Sequence, residues 1–245
     1  MDEKEIIEID SINGPIMCFK DDLISDHIKD FGNHTRTEFA FATAIIQPSF
    51  KIFDLGAHVG TFTLTAAKKL NHSGKILSVE GNEAHKKLLD HNLFLRNDPR
   101  LISHQAFIGP KDLFNYKSNY SNTGSGRLIK STKGTFSGIG IDSLVKDYFN
   151  PDYIKLDIEG MEEIAIRDSD YIFNQKPIIY VETNNKLLIE NNCSSDSLIS
   201  HLISIGYRCF KNIGDRNAKH EFFKVSEIGL LKDASNYGDI LCVSG

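Results

Sequence analysis

The chain has 245 residues, 40% of them hydrophobic and 25% charged, with a formal net charge of -5 at neutral pH. That length suits one large α/β domain, and the acidic balance gives no electrostatic reason to expect nucleic acid as a partner. No apolar run is long enough to insert in a membrane, and four cysteines at 18, 193, 209 and 242, without CxxC spacing, read as reduced thiols of a cytoplasmic protein.

The opening Met-Asp-Glu-Lys-Glu lacks the basic and apolar regions of a secretory signal. Glu5 to Asp10 and Pro15 to Lys20 are short β-rich runs around Asn13-Gly14, a dipeptide suited to a two-residue hairpin turn. Leu23, His27, Ile28 and Phe31 have helical spacing, as do Phe39, Ala42, Thr43 and Ile46 before Pro48 stops the pattern. Residues 1–50 thus predict a hairpin and cover helices in the same domain as a core at 51–245. In that core, β-rich runs at 51–55, 75–80, 101–107, 152–157 and 177–183 alternate with helical segments at 61–70, 84–96 and 161–173. This alternation is the signature of a parallel sheet with helices on both faces. A helix at 195–205, a strand at 206–211 and a last strand from Asp239 to Val243 follow. Residues 110–140 break the rhythm with Gly, Ser, Asn and Tyr, and carry Lys111, Lys117, Arg127, Lys130 and Lys133 against Asp112. They read either as a solvated β-hairpin excursion or as a substrate-facing flap that favours an anionic group.

In open α/β sheets ligands bind beyond the carboxyl ends of the strands, and here those ends are polar in succession: Asp54, Glu80, Gln105, Asp157 with Glu159, and Glu182. Asp54-Leu-Gly-Ala-His-Val-Gly60 is a glycine turn leading into a helix, where backbone can approach a ligand closely. Glu80 follows about twenty residues on, placed to accept hydrogen bonds from ribose hydroxyls. The turn lacks the third glycine of GxGxxG, which disfavours NAD, and an acidic corner would repel a diphosphate while attracting a sulfonium. S-adenosylmethionine is therefore the expected cofactor. An NAD-dependent oxidoreductase and a non-catalytic adenosine-ligand binding module are the alternatives.

Together Asp54 to Gly60, Ser78-Val-Glu80 with Asn82, Ile141-Asp-Ser-Leu144, Ile154-Lys-Leu-Asp-Ile-Glu-Gly-Met-Glu162 and Pro177-Ile-Ile-Tyr-Val-Glu182 resemble the FkbM-type methyltransferases, over residues 35–183 and on to Asp239-Ile-Leu-Cys-Val243. The resemblance implies a class I, Rossmann-like fold with a seven-stranded sheet, one strand antiparallel, and O-methylation of a hydroxyl on a sugar, glycan or natural product. It also implies that Asp54, Gly56, Ala57 and Gly60 shape the methionine side of the cofactor pocket. By the same resemblance Glu80, Gly81 and Asn82 hold the ribose, Gln105 and Ala106 lie by the adenine, and Glu38 reaches the methionine end. Gly81 stands where the family often has proline, and 110–140 follows no family pattern.

A hydroxyl acceptor must lose a proton, for which Asp157 is the first candidate and Glu159 and Glu182 the next. Asp157 could instead position the cofactor, and His58, inside the turn, could serve as the base or could pack or cap there. The three carboxylates offer oxygen ligands suited to a divalent cation, but spacing alone fixes no geometry and no metal is assigned.

Overall fold

The computed structural model describes residues 4–117, 122–228 and 238–245. Strands β1 (Ile6–Ser11) and β2 (Gly14–Phe19) form the N-terminal hairpin. Its turn falls one residue earlier than the Asn13-Gly14 pair implies, because Ser11 pairs with Gly14, which opens β2 at φ 90°. The Ser11 hydroxyl closes the turn, donating to the Gly14 carbonyl at 2.7 Å and accepting from the Asn13 N–H at 3.0 Å. Helix α1 (Leu23–Phe31) starts at a capping box of Asp22 and Ser25 and stops at Gly32 in the left-handed region. Helix α2 (Arg36–Thr43) follows.

The chain then runs through β3 (Lys51–Leu55), α3 (Thr61–Ala67), β4 (Lys75–Glu80), α4 (Glu83–Phe94) and β5 (Leu101–Gln105). The excursion contributes β6 (Phe107–Ile108), β7 (Leu113–Lys117), β8 (Arg127–Lys130) and β9 (Phe136–Ile139), and leads into α5 (Ile141–Asp147). Next come β10 (Tyr153–Leu156), α6 (Glu162–Arg167), α7 (Asp170–Asn174), β11 (Ile178–Glu182), α8 (Asn185–Glu190) and α9 (Ser195–Ser204). The last strands are β12 (Tyr207–Asn212), β13 (Val225–Glu227) and β14 (Asp239–Ser244).

The main sheet has the order β13-β12-β14-β11-β10-β3-β4-β5. From β5 to β11 all neighbours are parallel, and β14 is antiparallel to both β11 and β12. The expected seven strands are present, and an eighth, β13, pairs antiparallel with β12 at the edge, so the sheet is larger than the sequence implied. Three residues, Val-Ser-Glu, are too few to show a period. The run at 101–107 also divides: Ala106 leaves the sheet, and Phe107 and Ile108 pair with β9 in a second, four-stranded sheet ordered β6-β9-β7-β8. Residues 118–121 of the excursion lie outside the described residues. The segment at 161–173 is two helices, α6 and α7, separated at Asp168 and Ser169, residue types that favour caps over helix interiors.

Alternation along each strand sorts side chains onto the two faces. Phe53, Leu55, Leu77, Val79, Ile154, Leu156, Ile179 and Val181 fill the core beneath α5, α6, α7 and α9. Ile52, Ile76, Tyr153, Tyr180 and Leu241 point the other way, against Phe39 and Ala42 of α2 and Phe62 and Ala66 of α3. On that second face, one pleat further along, register aligns Ser78, Asp54, Lys155 and Tyr180 in a row across four strands. The hairpin and α1 pack by Ile9, Ile16, Ile24 and Ile28 against Val59, Leu64, Leu89 and Leu93, which attaches the N-terminal layer to the glycine turn and α4.

Candidate active site

At the carboxyl ends of the central strands lies a cavity of about 340 Å³, walled by the glycine turn, the ends of β4, β10 and β11, the start of β14 and the excursion. The turn leaves β3 through Gly56 at φ 80°, passes His58 at φ 51° and enters α3 through Gly60 at φ 93°. A Cβ on Gly56 would fall 1.8 Å from the Asp157 carbonyl oxygen, so only glycine lets this turn lie on the end of β10. Glu80 anchors the turn from the next strand: one carboxylate oxygen accepts the His58 N–H at 2.9 Å and the other the Asn82 N–H at 2.7 Å. A carboxylate has about four lone-pair sites, so Glu80 keeps acceptor capacity toward the cavity.

The polar row beneath the cavity is held by hydrogen bonds and ion pairs among its own members, although Asp54 Oδ1 makes no hydrogen bond. Asp54, fully buried, accepts the Thr63 hydroxyl at 2.5 Å and faces the Lys155 ammonium at 3.5 Å. Lys155 also donates to the Gly56 carbonyl at 2.7 Å and lies 3.3 Å from Asp157. Burial alone would lower the affinity of Lys155 for its proton, but Asp157 and Asp54 outweigh it and keep the ammonium charged. Burial raises the Asp54 pKa, against the opposing pull of Lys155 and Thr63.

Beyond Asp157 the backbone makes a tight turn, with Glu159 at φ 58° and Gly160 at φ 101°. Glu162 folds it, accepting the Ile158 N–H at 2.8 Å and the Gly160 N–H at 3.0 Å. The turn brings one oxygen each of Asp157, Glu159 and Glu182 within 4.8 Å of one another. That spacing would also admit a divalent cation. Burial, then the charges of Asp157 and Glu162, push the Glu159 carboxyl up to about 9, and burial pushes Glu162 up to about 7. Glu182 is raised well above the usual range, first by burial and then by Asp157 and Glu159.

Two further groups complete the walls. Asn122, Thr123, Gly124, Gly126, Arg127 and Leu128 of the excursion line the cavity, as does Tyr116. The Thr123 N–H donates to the Asp22 carboxylate at 2.8 Å, and its hydroxyl lies 3.1 Å from His58 Nε2. On the far side, Asp239 accepts from Tyr180 OH at 2.6 Å and from Arg216 at 2.8 Å. The Arg216 carbonyl accepts the Thr37 and Glu38 N–H groups, substituting for the side-chain cap that α2 lacks.

A family model described as the methyltransferase FkbM domain matches residues 54–209, more than half of the chain. The chain belongs to the FkbM methyltransferase family. Among solved structures, an O-methyltransferase from Bacillus cereus in complex with SAH is 15% identical, with 85% of this chain and 81% of that one covered at a TM-score of 0.51. A methyltransferase FkbM from Methylobacillus flagellatus KT is 16% identical at a TM-score of 0.50, covering 84% of this chain and 47% of that one. A precorrin-6y C5,15-methyltransferase from Geobacter metallireducens GS-15 is 14% identical at a TM-score of 0.50, covering 85% and 88%. These likenesses show the class I methyltransferase fold. No curated protein matches the chain. Among the described residues, no helix is long and apolar enough to cross a membrane.

In this FkbM chain the residues singled out from sequence do not all reach the cavity. Gly56, Ala57, Glu80, Gly81, Ala106, Asp157, Glu159 and Glu182 line it. Gly60 caps α3, Asn82 caps α4 by accepting from the N–H groups of Ala84 and His85, and Gln105 is exposed at the end of β5. Asp54 is a layer below, paired with Lys155, so at the ends of β10 and β11 the cavity is faced by Asp157, Glu159 and Glu182, with Glu80 and Asp239 also in its lining. Glu38 is buried behind the wall, accepting from Asn212 at 3.0 Å and pushed up to about 7 by burial, then by Asp239. His58 does pack, its ring 4.0 Å from that of His85, and burial followed by His85 keeps it neutral. Gly81 explains its departure from proline: a Cβ there would meet the Phe107 ring at 2.1 Å. Lys155 carried no sequence-derived role, although its place between two carboxylate-bearing strands was the available signal. Arg216 and Asn217, from a loop without period, were not legible.

Proposed function

We propose that this FkbM-family protein transfers a methyl group from S-adenosylmethionine to a hydroxyl oxygen of a small sugar, glycan or natural product. The observation that carries the reading is one cavity lined both by Glu80 from the end of β4 and by Asp157, Glu159 and Glu182 from beyond the ends of β10 and β11. The residues present fit this cofactor. Glu80 retains acceptor capacity for a diol, the glycine turn brings backbone to the cavity edge, and Asp157 offers a carboxylate to a sulfonium while neutral His58 adds no opposing charge. When bound, the sulfonium supplies an activated methyl group, and the protein's task is to orient the acceptor and remove water.

Asp157 is the group assigned to orient the acceptor hydroxyl and take its proton. Its side chain is 42% exposed toward the cavity, and Lys155 at 3.3 Å fixes its position. Glu159, pushed up to about 9, holds a proton near neutral pH and is the poorer base. The excursion, which lines the cavity, is the substrate-facing wall of this reading rather than a solvated hairpin.

Calorimetric titration with S-adenosylmethionine, S-adenosylhomocysteine and NAD tests the cofactor, and binding of NAD but neither sulfur ligand would overturn it. A methyl-transfer screen over glycosides tests the acceptor. On any acceptor found, Asp157→Asn should cut turnover more than cofactor affinity. Equal losses would assign Asp157 to the cofactor alone, and loss of turnover on exhaustive chelation would assign the three carboxylates to a cation.

A further inference from the structure

We propose that Cys209 and Cys242 form a redox modification site, at which a small peroxide converts the two thiols into a disulfide bridging β12 and β14. The two residues are register partners on adjacent antiparallel strands. Directly opposed residues of such a pair have Cα atoms about 4.5 to 5.5 Å apart, within the span of about 4.4 to 6.8 Å that a disulfide accepts. Their sulfurs lie 3.2 Å apart, with the Cys242 thiol donating to Cys209 Sγ. Closing the bond brings the sulfurs from 3.2 Å to about 2.05 Å, which side-chain rotation at directly opposed positions can supply.

The same hydrogen bond makes the two thiols unequal. Donation from Cys242 draws the Cys209 thiol down from its ordinary value against the effect of burial, whereas burial first pushes Cys242 well up. Cys209 is thus the nucleophile. Its thiolate attacks one peroxide oxygen, the O–O bond breaks, and hydroxide leaves with sulfenic acid formed on Cys209. The Cys242 sulfur then displaces the sulfenic oxygen as water and gives up its proton. Overall two thiols and one hydrogen peroxide give one disulfide and two waters.

Both sulfurs are buried, which favours a small uncharged oxidant over a bulky disulfide. On the edge side β12 is flanked only by the three residues of β13 and by Ile228, whose N–H donates to the Cys209 carbonyl at 2.8 Å. The other two thiols serve as internal controls: burial pushes Cys18 up to about 12 and Cys193 up to about 11. Residues 209–242 include Arg216, Asn217 and Asp239, so the bond would close a loop that carries part of the cavity wall.

The test treats the purified full chain with hydrogen peroxide, quenches, denatures, alkylates free thiols and maps peptides by mass. A linked peptide joining Cys209 to Cys242 is expected, with Cys18 and Cys193 alkylated. The thermal midpoint should rise and return with dithiothreitol, as expected when the unfolded chain is cross-linked. Alkylation of all four cysteines would overturn the assignment, as would Cys209 ending as sulfinic acid beside an alkylated Cys242. In Cys242→Ser, whose hydroxyl can still donate to Cys209 Sγ, a dimedone-trapped sulfenic acid on Cys209 is expected, and its absence would refute Cys209 as the nucleophile.

Discussion

Replacing Lys155 by methionine keeps the stem and removes the charge, which isolates what the ammonium does. It leaves Asp54, a carboxylate with no exposed side-chain surface, without the cation 3.5 Å away. At an effective dielectric of about 20 the lost attraction is roughly 5 kcal/mol. Asp157 adds little to this sum, because its side chain is 42% exposed and solvent screens it. Removing one partner of a buried pair costs about 3 to 5 kcal/mol in practice, a large part of a typical folding stability. Equilibrium urea unfolding at neutral pH should therefore lose about that much, and the melting temperature should fall by roughly 10 °C. The penalty has a pH signature. Asp54 already titrates above its unfolded value of 3.8, and without Lys155 it would titrate higher still. The native state then binds the extra proton, so the deficit should shrink as pH falls and grow as pH rises through the raised pKa. The double variant Asp54→Asn with Lys155→Met should recover part of the loss. An unchanged urea midpoint in Lys155→Met would refute the idea that this ammonium neutralises the buried row.

Glu80→Ala should weaken S-adenosylmethionine binding by about 1 to 3 kcal/mol in calorimetry, since charge-assisted hydrogen bonds are lost; unaltered affinity in a folded variant would remove Glu80 from the ribose. Gly81→Ala drives a Cβ toward the Phe107 ring at 2.1 Å and should cost about 1 to 3 kcal/mol of stability, largely restored by Phe107→Ala. Failure of that second change to rescue would show that backbone rather than ring contact sets the need for glycine. Glu159, raised from 4.5 to about 9, binds its proton more tightly in the native state, so it withdraws stability as pH climbs across that interval. A sulfonium favours the ionised carboxylate and a neutral sulfide does not, so the affinity ratio of S-adenosylmethionine to S-adenosylhomocysteine should rise toward pH 9. A flat ratio would place Glu159 away from the sulfonium.

The sheet was legible because period and punctuation are local. Ile52, Phe53 and Leu55 sort by alternation, and Gly56 announces a turn whatever lies around it. The strand-end carboxylates were legible for the same reason: Glu80, Asp157 and Glu182 are fixed to the cavity edge by where their strands stop. What failed required knowledge of a neighbour. Asp54 reads as a cavity wall until Lys155, about a hundred residues later, arrives beside it in register. Asn82 and Gln105 belong to the right loops but turn to a helix cap and to solvent. Gly81 is an anomaly in one dimension and a necessity once Phe107 lies across it. The walls from Tyr116 to Leu128 and at Arg216 have no period to read, since their positions are set by partners on other segments.

The bond from Thr123 to Asp22 couples two walls that the chain builds 101 residues apart. Asp22 caps α1, pairs with Lys4 at 3.3 Å and receives the Thr123 N–H at 2.8 Å, so one carboxylate serves the N-terminal layer and the cavity roof together. The excursion is therefore not a cassette. The donor is a backbone N–H, so replacing the Thr123 side chain would keep the tie, whereas a change at Asp22 would loosen the α1 cap, the Lys4 pair and the excursion together. If the excursion is the acceptor-facing wall proposed above, a substitution at Asp22 should alter acceptor use as well as the stability of the N-terminal layer.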